Sequence, residues 1–167
     1  TPNGGETIYA NGIYEIKWTS FGGISNNLKL QYSTNGVDWI DIATGQSNTG
    51  SYIWNPVADI NSAQVKIKII DKDRPALAAE VSDVSDAVFS VIPPTITVVS
   101  PNGGEDLPIG IVHPIQWTTT GHGQGALRNI TIHYSTNGGS TWTLIAEGLS
   151  VSEAGQGTYN WTIPDRK

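Results

Sequence analysis

The chain has 167 residues, with 15 acidic against 9 basic side chains and a formal net charge of −6. Basic residues are scattered singly, apart from Arg166 and Lys167, so the chain lacks the basic stripe that a nucleic-acid-binding protein needs. The absence of cysteine excludes disulfides and thiolate metal sites. No apolar run has membrane-spanning length, so we expect no membrane insertion by this segment. The chain begins at Thr1 and contains no methionine, which we interpret as an internal piece of a longer protein.

The first half of the sequence predicts about seven short strands and no helix. Leu28, Leu30 and Tyr32 alternate with polar residues, a pattern typical of a strand with one buried face. Asn35 and Gly36 follow, and an Asn-Gly pair between two apolar runs predicts a hairpin because both residues tolerate positive φ. The predicted strands are a short one near Ile8 and residues 13–18, 28–32, 39–43, 51–54, 65–69 and 87–91. Seven short strands separated by turns are typical of a β-sandwich.

The same motifs then return in the second half. PNGGE at residues 2–6 recurs at 101–105, and YSTNG at residues 32–36 recurs at 134–138. All six tryptophans fall into two equivalent sets of three: Trp18, Trp39 and Trp54, then Trp117, Trp142 and Trp161. Repetition at about one domain length indicates tandem units. We therefore predict an all-β protein with two tandem β-sandwich domains.

The domain boundary is predicted at Pro93 and Pro94, because two prolines stiffen the chain and cannot donate to a ladder. Domain 1 is assigned to residues 1–92, the linker to 93–94 and domain 2 to 95–167. Domain 2 lacks segments equivalent to residues 65–69 and 87–91, so it is predicted to be incomplete at its C-terminal end. Three explanations stay open: the polypeptide continues, it was trimmed by a protease, or strands of a neighbouring molecule complete the sheet.

The combined motif PNGGE, IxW, YSxNGxxW and GxYxW resembles the immunoglobulin-like (fibronectin III-like) repeats of large bacterial and archaeal surface proteins. It is also similar in pattern to the N-terminal domain of Ser/Thr-rich, GPI-anchored fungal cell-wall proteins. The resemblance covers essentially the whole chain and departs from the pattern only at the missing end of the second repeat. It implies immunoglobulin-like domains and an extracellular or cell-surface location, and is unspecific about function.

Four aspartates bracket the long loop before the last strand of domain 1. Asp71, Asp73, Asp83 and Asp86 are the metal-site hypothesis, since hard cations such as calcium bind several converging oxygens. Their spacing fits no defined calcium loop, so solvated loop acids are the favoured interpretation. No other cofactor is expected. The glutamates of the two PNGGE motifs are interpreted as turn residues whose carboxylates cap backbone N–H groups.

Aromatic and asparagine residues provide two surface hypotheses. Trp39 and Trp142 follow the two predicted hairpins, where an exposed indole could stack on a sugar, although packing at one end of each sandwich is favoured. Asn129 and Asn160 begin sequences of the Asn-x-Thr type and are candidate glycosylation sites, with Asn160 on an outward strand face.

The two domains are expected to share a modest interface. It would involve Asn35 and Gly36 of the first hairpin, the linker prolines Pro93 and Pro94, and the glycine-rich insertion around His122. That insertion is interpreted as a flexible loop because it has no phosphate-binding context. No catalytic arrangement shared by the two repeats is visible, so we do not expect an enzyme.

These observations favour a non-enzymatic structural or adhesive module of a larger secreted or cell-surface prokaryotic protein, such as a surface-layer or coat subunit. The alternatives are the spacer stalk of an adhesin and an accessory carbohydrate-binding module of a secreted enzyme. The expected partners are further repeats of the same polypeptide, neighbouring copies and cell-wall glycans.

Overall fold

The computed structural model describes residues 1–74, 81–152 and 154–165. These residues form an all-β protein with several sheets, an arrangement consistent with a β-sandwich. The chain divides into two compact units, Thr1–Pro93 and Pro94–Lys167. No helix in the described ranges is long and apolar enough to cross a membrane.

Unit 1 contains two sheets. Its strands are β1 (Thr7–Tyr9), β2 (Tyr14–Lys17), β3 (Leu28–Ser33), β4 (Ile40–Gln46), β5 (Ser51–Trp54), β6 (Ser62–Asp71), β7 (Ser82–Val84) and β8 (Phe89–Ile92). The larger sheet has the order β1-β8-β6-β3-β4, with β7 also paired to β6, and the smaller sheet is β2-β5. All these pairs are antiparallel except β1 with β8, which is parallel.

Alternating apolar residues of both sheets form one core in unit 1. Leu28, Leu30 and Tyr32 point inward from β3, as their spacing predicts, and meet Ile16 of β2 and Trp54 of β5. The rings of Tyr32 and Trp54 lie 5.5 Å apart, centroid to centroid, and so join the two sheets directly. An aromatic pair at this distance adds to the stabilisation that burial alone provides.

Unit 2 repeats part of this plan. Its strands are β9 (Ile96–Ser100), β10 (Val112–Thr119), β11 (Asn129–Tyr134), β12 (Thr143–Ser150) and β13 (Gln156–Thr162). They form a three-stranded sheet, β13-β10-β9, and a two-stranded sheet, β11-β12. Tyr134 and Trp161 repeat the ring contact between sheets, at 5.0 Å. In unit 1, β3 lies between β4 and β6. Its counterpart β11 pairs with β12 on one side, and no described strand pairs with its other side.

Three local predictions need correction. The acidic segment between Asp71 and Asp86 is not simply a loop, because β7 pairs with the end of β6 through Ile69 and Asp83. The connection of the Asn-Gly hairpin has its predicted length but is shifted by one residue: β3 ends at Ser33 and β4 begins at Ile40, after Trp39. The glycine-rich insertion forms a short 3-10 helix, His122–Gln124.

Candidate functional site

The two PNGGE motifs form the same turn. The carboxylate of Glu6 accepts the backbone N–H groups of Asn3 and Gly4, both at 2.8 Å. Glu105 accepts those of Asn102 and Gly103, both at 2.7 Å. The first glycine of each motif has a similar positive φ, 137° at Gly4 and 122° at Gly103, and this backbone conformation favours glycine. The prediction of a turn capped by its glutamate is confirmed.

The turn of unit 1 carries the chain from one sheet to the other. Thr1 pairs with Lys17 at the end of β2, and the chain then reaches β1 beside β8. Between these two points the Asn3 side chain accepts the backbone N–H of Asp86 at 3.0 Å and donates to the Asp86 carboxylate at 2.7 Å. A Cβ on Gly4 would lie 2.4 Å from the Cβ of Ala87, so only glycine allows this approach.

Hydrogen bonding sets the charge state of both turn glutamates. Burial pushes the pKa of Glu6 upward, but its bonds from the backbone of Asn3 and Gly4 outweigh this and lower the pKa overall. The backbone N–H of Asn102 holds the pKa of Glu105 below its usual range. Each glutamate therefore stabilises its turn in the ionised form.

The four aspartates of the metal hypothesis do not converge on one point. Asp71 is buried, and its carboxylate accepts the backbone N–H and the hydroxyl of Ser25. The Ser25 hydroxyl is the main cause that lowers the pKa of Asp71. Asp73 accepts the amide of Asn27, and Asp86 is bonded to the first turn.

Asp83 lies on β7 opposite Ile69, and both Asp83 and Asp71 line a cavity of about 330 Å³. Across the described residues, no three His, Cys, Asp or Glu side chains are grouped to hold a metal ion. Asp71, which has the most hydrogen bonds of the four, uses its oxygens to fix the Ser25 backbone. Calcium binding stays a prediction that this geometry does not support.

The equivalent tryptophans Trp39 and Trp142 have different surroundings. Trp39 is half-buried, and the Lys68 ammonium of β6 lies over its ring at 5.7 Å from the centroid. The side chain of Trp142 is 63% exposed. A Cβ on Gly139 would be 3.5 Å from a ring carbon of Trp142, so Gly139 is a close neighbour of this ring. Packing was favoured for both rings, and for Trp142 that interpretation is wrong.

The candidate glycosylation residues are both exposed. Asn129 is the first residue of β11, and Asn160 lies on β13 opposite Pro114. The outward position of Asn160 between the inward rings of Tyr159 and Trp161 is confirmed. Modification at either residue stays a prediction.

The hairpin residues of the interface hypothesis have a structural role of their own. The side-chain oxygen of Asn35 accepts the backbone N–H groups of Val37 and Asp38, both at 2.9 Å. The Asn137 oxygen accepts the Thr141 N–H at 2.9 Å in the second unit. In both loops an asparagine side-chain oxygen takes the place of a backbone acceptor, and these hydrogen bonds stabilise the loop.

The remaining interface residues lie on both sides of the unit boundary. Pro93 ends unit 1 and Pro94 begins unit 2, whereas His122 opens the 3-10 helix within unit 2. The His122 ring packs against Gly155, where a Cβ would come within 2.5 Å of it. Gly36 has φ 73°, so the loop it occupies also depends on glycine. The interface between domains stays a prediction.

One serine–histidine pair occurs in the described part of the chain. The Ser100 hydroxyl and Nε2 of His113 lie 3.3 Å apart at the junction of β9 and β10. A catalytic histidine also needs a group that orients its other ring nitrogen. None of the hydrogen bonds of the described residues involves Nδ1 of His113.

Two adjoining cavities open beside β2 in unit 1, and sequence reasoning missed them. The larger, about 550 Å³, is lined by residues that include Lys17 and Ile67, and the smaller, about 330 Å³, reaches Phe21. They share Trp18, Thr19, Ile69 and Asp83. We call this combined opening the β2 groove. Its residues lie on five separate segments, so no local motif could reveal it.

Comparison with known proteins adds no family: no protein-family model and no curated protein matches the chain.

The turn glutamates generate a pH-dependent prediction. In Glu105→Gln the second oxygen becomes an NH₂ group that cannot accept the Gly103 N–H, so we expect lower stability than wild type at neutral pH. Because the folded-state pKa of Glu105 is lowered, its contribution is present above the usual glutamate range of roughly 4.3 and fades as the pH falls through the folded-state value. The stability difference between the two proteins should therefore narrow at about pH 3.

Urea unfolding at the two pH values measures this difference. The control is Glu147→Gln, which changes an exposed glutamate on β12. A gap between wild type and Glu105→Gln that stays constant with pH would contradict the assigned role of the carboxylate.

Proposed function

We propose that this chain is a structural, non-enzymatic module of a larger secreted or cell-surface prokaryotic protein, built from two tandem immunoglobulin-like sandwiches. The strand arrangement of unit 1 supports the immunoglobulin-like assignment. One sheet pairs β8, β6, β3 and β4, the other pairs β2 and β5, and β1 joins the edge of β8. In immunoglobulin domains the third, sixth and last strands likewise pair in one sheet, while the second and fifth strands pair in the other.

One observation carries the proposal: the residues that repeat are those that hold the fold together. Glu6 and Glu105 cap identical turns, and Asn35 and Asn137 build equivalent loops. The Tyr–Trp ring pairs join the two sheets in each unit. By contrast, the candidate sugar-binding residues differ between the units, since Lys68 lies over Trp39 whereas Trp142 is exposed. A repeated scaffold with variable surfaces is typical of array proteins, in which function belongs to the assembly.

Within this class, the exposed apolar surface of unit 2 favours a coat or surface-layer subunit over a spacer stalk. Several large apolar side chains there are about half exposed: Ile96, Val98, Val99, Ile109, Ile111, Val112 and Leu144. Soluble proteins that act alone limit such patches and protect the edges of their sheets. Further strands of a longer polypeptide or lateral packing against other copies would cover this surface. A spacer stalk, the alternative, needs no such contact.

Electron microscopy of the purified chain tests this proposal. We expect ordered filaments, sheets or lattices at high protein concentration in negative stain, with and without added calcium. Samples that contain only separate particles over the whole concentration range would contradict the coat function and favour the spacer stalk.

The exposure of Trp142 supports a second candidate function, carbohydrate binding. A flat, exposed indole with a polar N–H suits stacking on a sugar ring. If this function is correct, Trp142→Ala should weaken retention on cell-wall polysaccharide by about tenfold, which corresponds to the loss of about 1.4 kcal/mol. Affinity electrophoresis measures the effect, and Phe21→Ala is the control because Phe21 is also highly exposed, at 86%. Equal retention of both variants and wild type would exclude Trp142 as a sugar-binding residue.

A further inference from the structure

The dipeptide Asn-Gly occurs at five places in the chain, at residues 3–4, 11–12, 35–36, 102–103 and 137–138. An asparagine before glycine is prone to deamidation, in which the backbone nitrogen of the glycine attacks the side-chain carbonyl carbon of the asparagine. Glycine favours this attack because it has no side chain to hinder the close approach. A glycine N–H that is hydrogen-bonded within the fold must first break that bond, so such a bond protects the asparagine.

Three of the five pairs lie in turns that hold the glycine N–H. The N–H groups of Gly4 and Gly103 donate to the two turn glutamates at 2.8 and 2.7 Å. The Gly12 N–H donates to the carbonyl of Tyr9 at 3.1 Å. The asparagines of these three pairs are therefore protected by the fold.

The remaining two pairs lie in the equivalent hairpin loops, which differ in length. Two residues separate the Asn-Gly pair from the tryptophan in the first loop, and three in the second. In the first loop the Ser33 hydroxyl accepts the Gly36 N–H at 2.9 Å. In the second, Ser135 accepts the N–H of Gly139, one residue further on, and the Gly138 N–H donates to none of the described residues. All these bonds lie within their own loop, so the difference comes from the loop sequences themselves.

The Asn137 side chain is held in a way that favours attack on its carbonyl carbon. Its Oδ1 accepts the Ser135 hydroxyl and the Thr141 N–H, both at 2.9 Å, and donors at this oxygen stabilise the negative charge that develops there. Its Nδ2 donates to the neutral Thr141 hydroxyl at 2.9 Å. In the first loop the Asn35 amide donates to the Asp38 carboxylate at 2.8 Å, and that charge opposes a developing oxyanion.

We propose that Asn137 is a site of spontaneous deamidation in the folded protein, whereas its counterpart Asn35 is protected. The Gly138 nitrogen forms a bond to Cγ of Asn137, the Cγ–Nδ2 bond breaks, and the amide leaves as ammonia with the proton that the Gly138 nitrogen gives up. Water then opens the succinimide at one of its two carbonyls and produces aspartate or isoaspartate. Either product adds a negative charge to the loop that ends at Trp142, and isoaspartate also lengthens its backbone by one methylene.

Incubation of the purified chain at mildly alkaline pH, followed by peptide mapping with mass spectrometry, measures the rates at all five pairs in one sample. In the folded protein we expect Asn137 to react about fivefold faster than Asn35, which is the rate factor that one neutral hydrogen bond supplies. In concentrated urea the two should react at similar rates, because the fold no longer protects either. Asn137→Gln is the assignment control, since its longer side chain closes the ring far more slowly.

Two variants exchange the protection between the loops. Replacing residues 139–141 by Val-Asp gives the second loop the length and sequence of the first, and should lower the rate at Asn137 to that of Asn35. Ser33→Ala removes the acceptor of the Gly36 N–H and should raise the rate at Asn35 about fivefold, with Asn137 in the same sample as the internal reference. Circular dichroism checks that each variant is folded.

Two results would overturn the proposal. One is an equal rate at Asn137 and Asn35 in the folded protein, or no reaction at Asn137 by the time the chain in urea has reacted completely. The other is an exchanged loop that deamidates as fast as wild type, because the extra residue would then not be the cause.

Discussion

The ring contact between a tyrosine of one sheet and a tryptophan of the other is the constraint on which each unit depends. Tyr32 on β3 meets Trp54 on β5 at 5.5 Å, and Tyr134 on β11 meets Trp161 on β13 at 5.0 Å. Each ring is placed by strand alternation, which fixes the face on which it lies. Once the two rings meet, the separation and register of the sheets are set, and the smaller apolar residues fill the space around them.

The surroundings of the PNGGE turn differ between the two units. In unit 1 the turn carries the chain from the β2 edge to the β8 edge, where Gly4 packs against Ala87. In unit 2 the same turn makes the same internal bonds, but a Cβ on Gly103 would meet no atom within 4 Å among the described residues, whereas one on Gly4 would meet Ala87. The repeated turn therefore keeps its internal hydrogen bonds in both units, while its packing against the rest of the unit differs.

Inward-facing residues were predictable from sequence because alternation is a local property of a strand. Features that depend on a distant partner were not. The sequence of β7 is polar and acidic and looks like a loop. It forms a strand because β6 is long enough for Ile69 to pair with Asp83. Trp39 and Trp142 occupy equivalent positions, yet Lys68 of β6 covers only Trp39, and no described strand of unit 2 corresponds to β6. Asn35 correctly indicated a hairpin between β3 and β4, but the side-chain hydrogen bonds that stabilise its loop could not be predicted from the pattern.

A double-mutant cycle on the ring pairs tests the central claim most directly. Tyr32 and Trp54 are replaced by leucine singly and together, Tyr134 and Trp161 likewise, and unfolding free energies are measured in urea. The account predicts a coupling of about 0.5–1.5 kcal/mol within each pair, the range for aromatic contacts beyond their burial. Additive effects within either pair would mean that its rings do not meet, and would contradict a core built on that contact in both units.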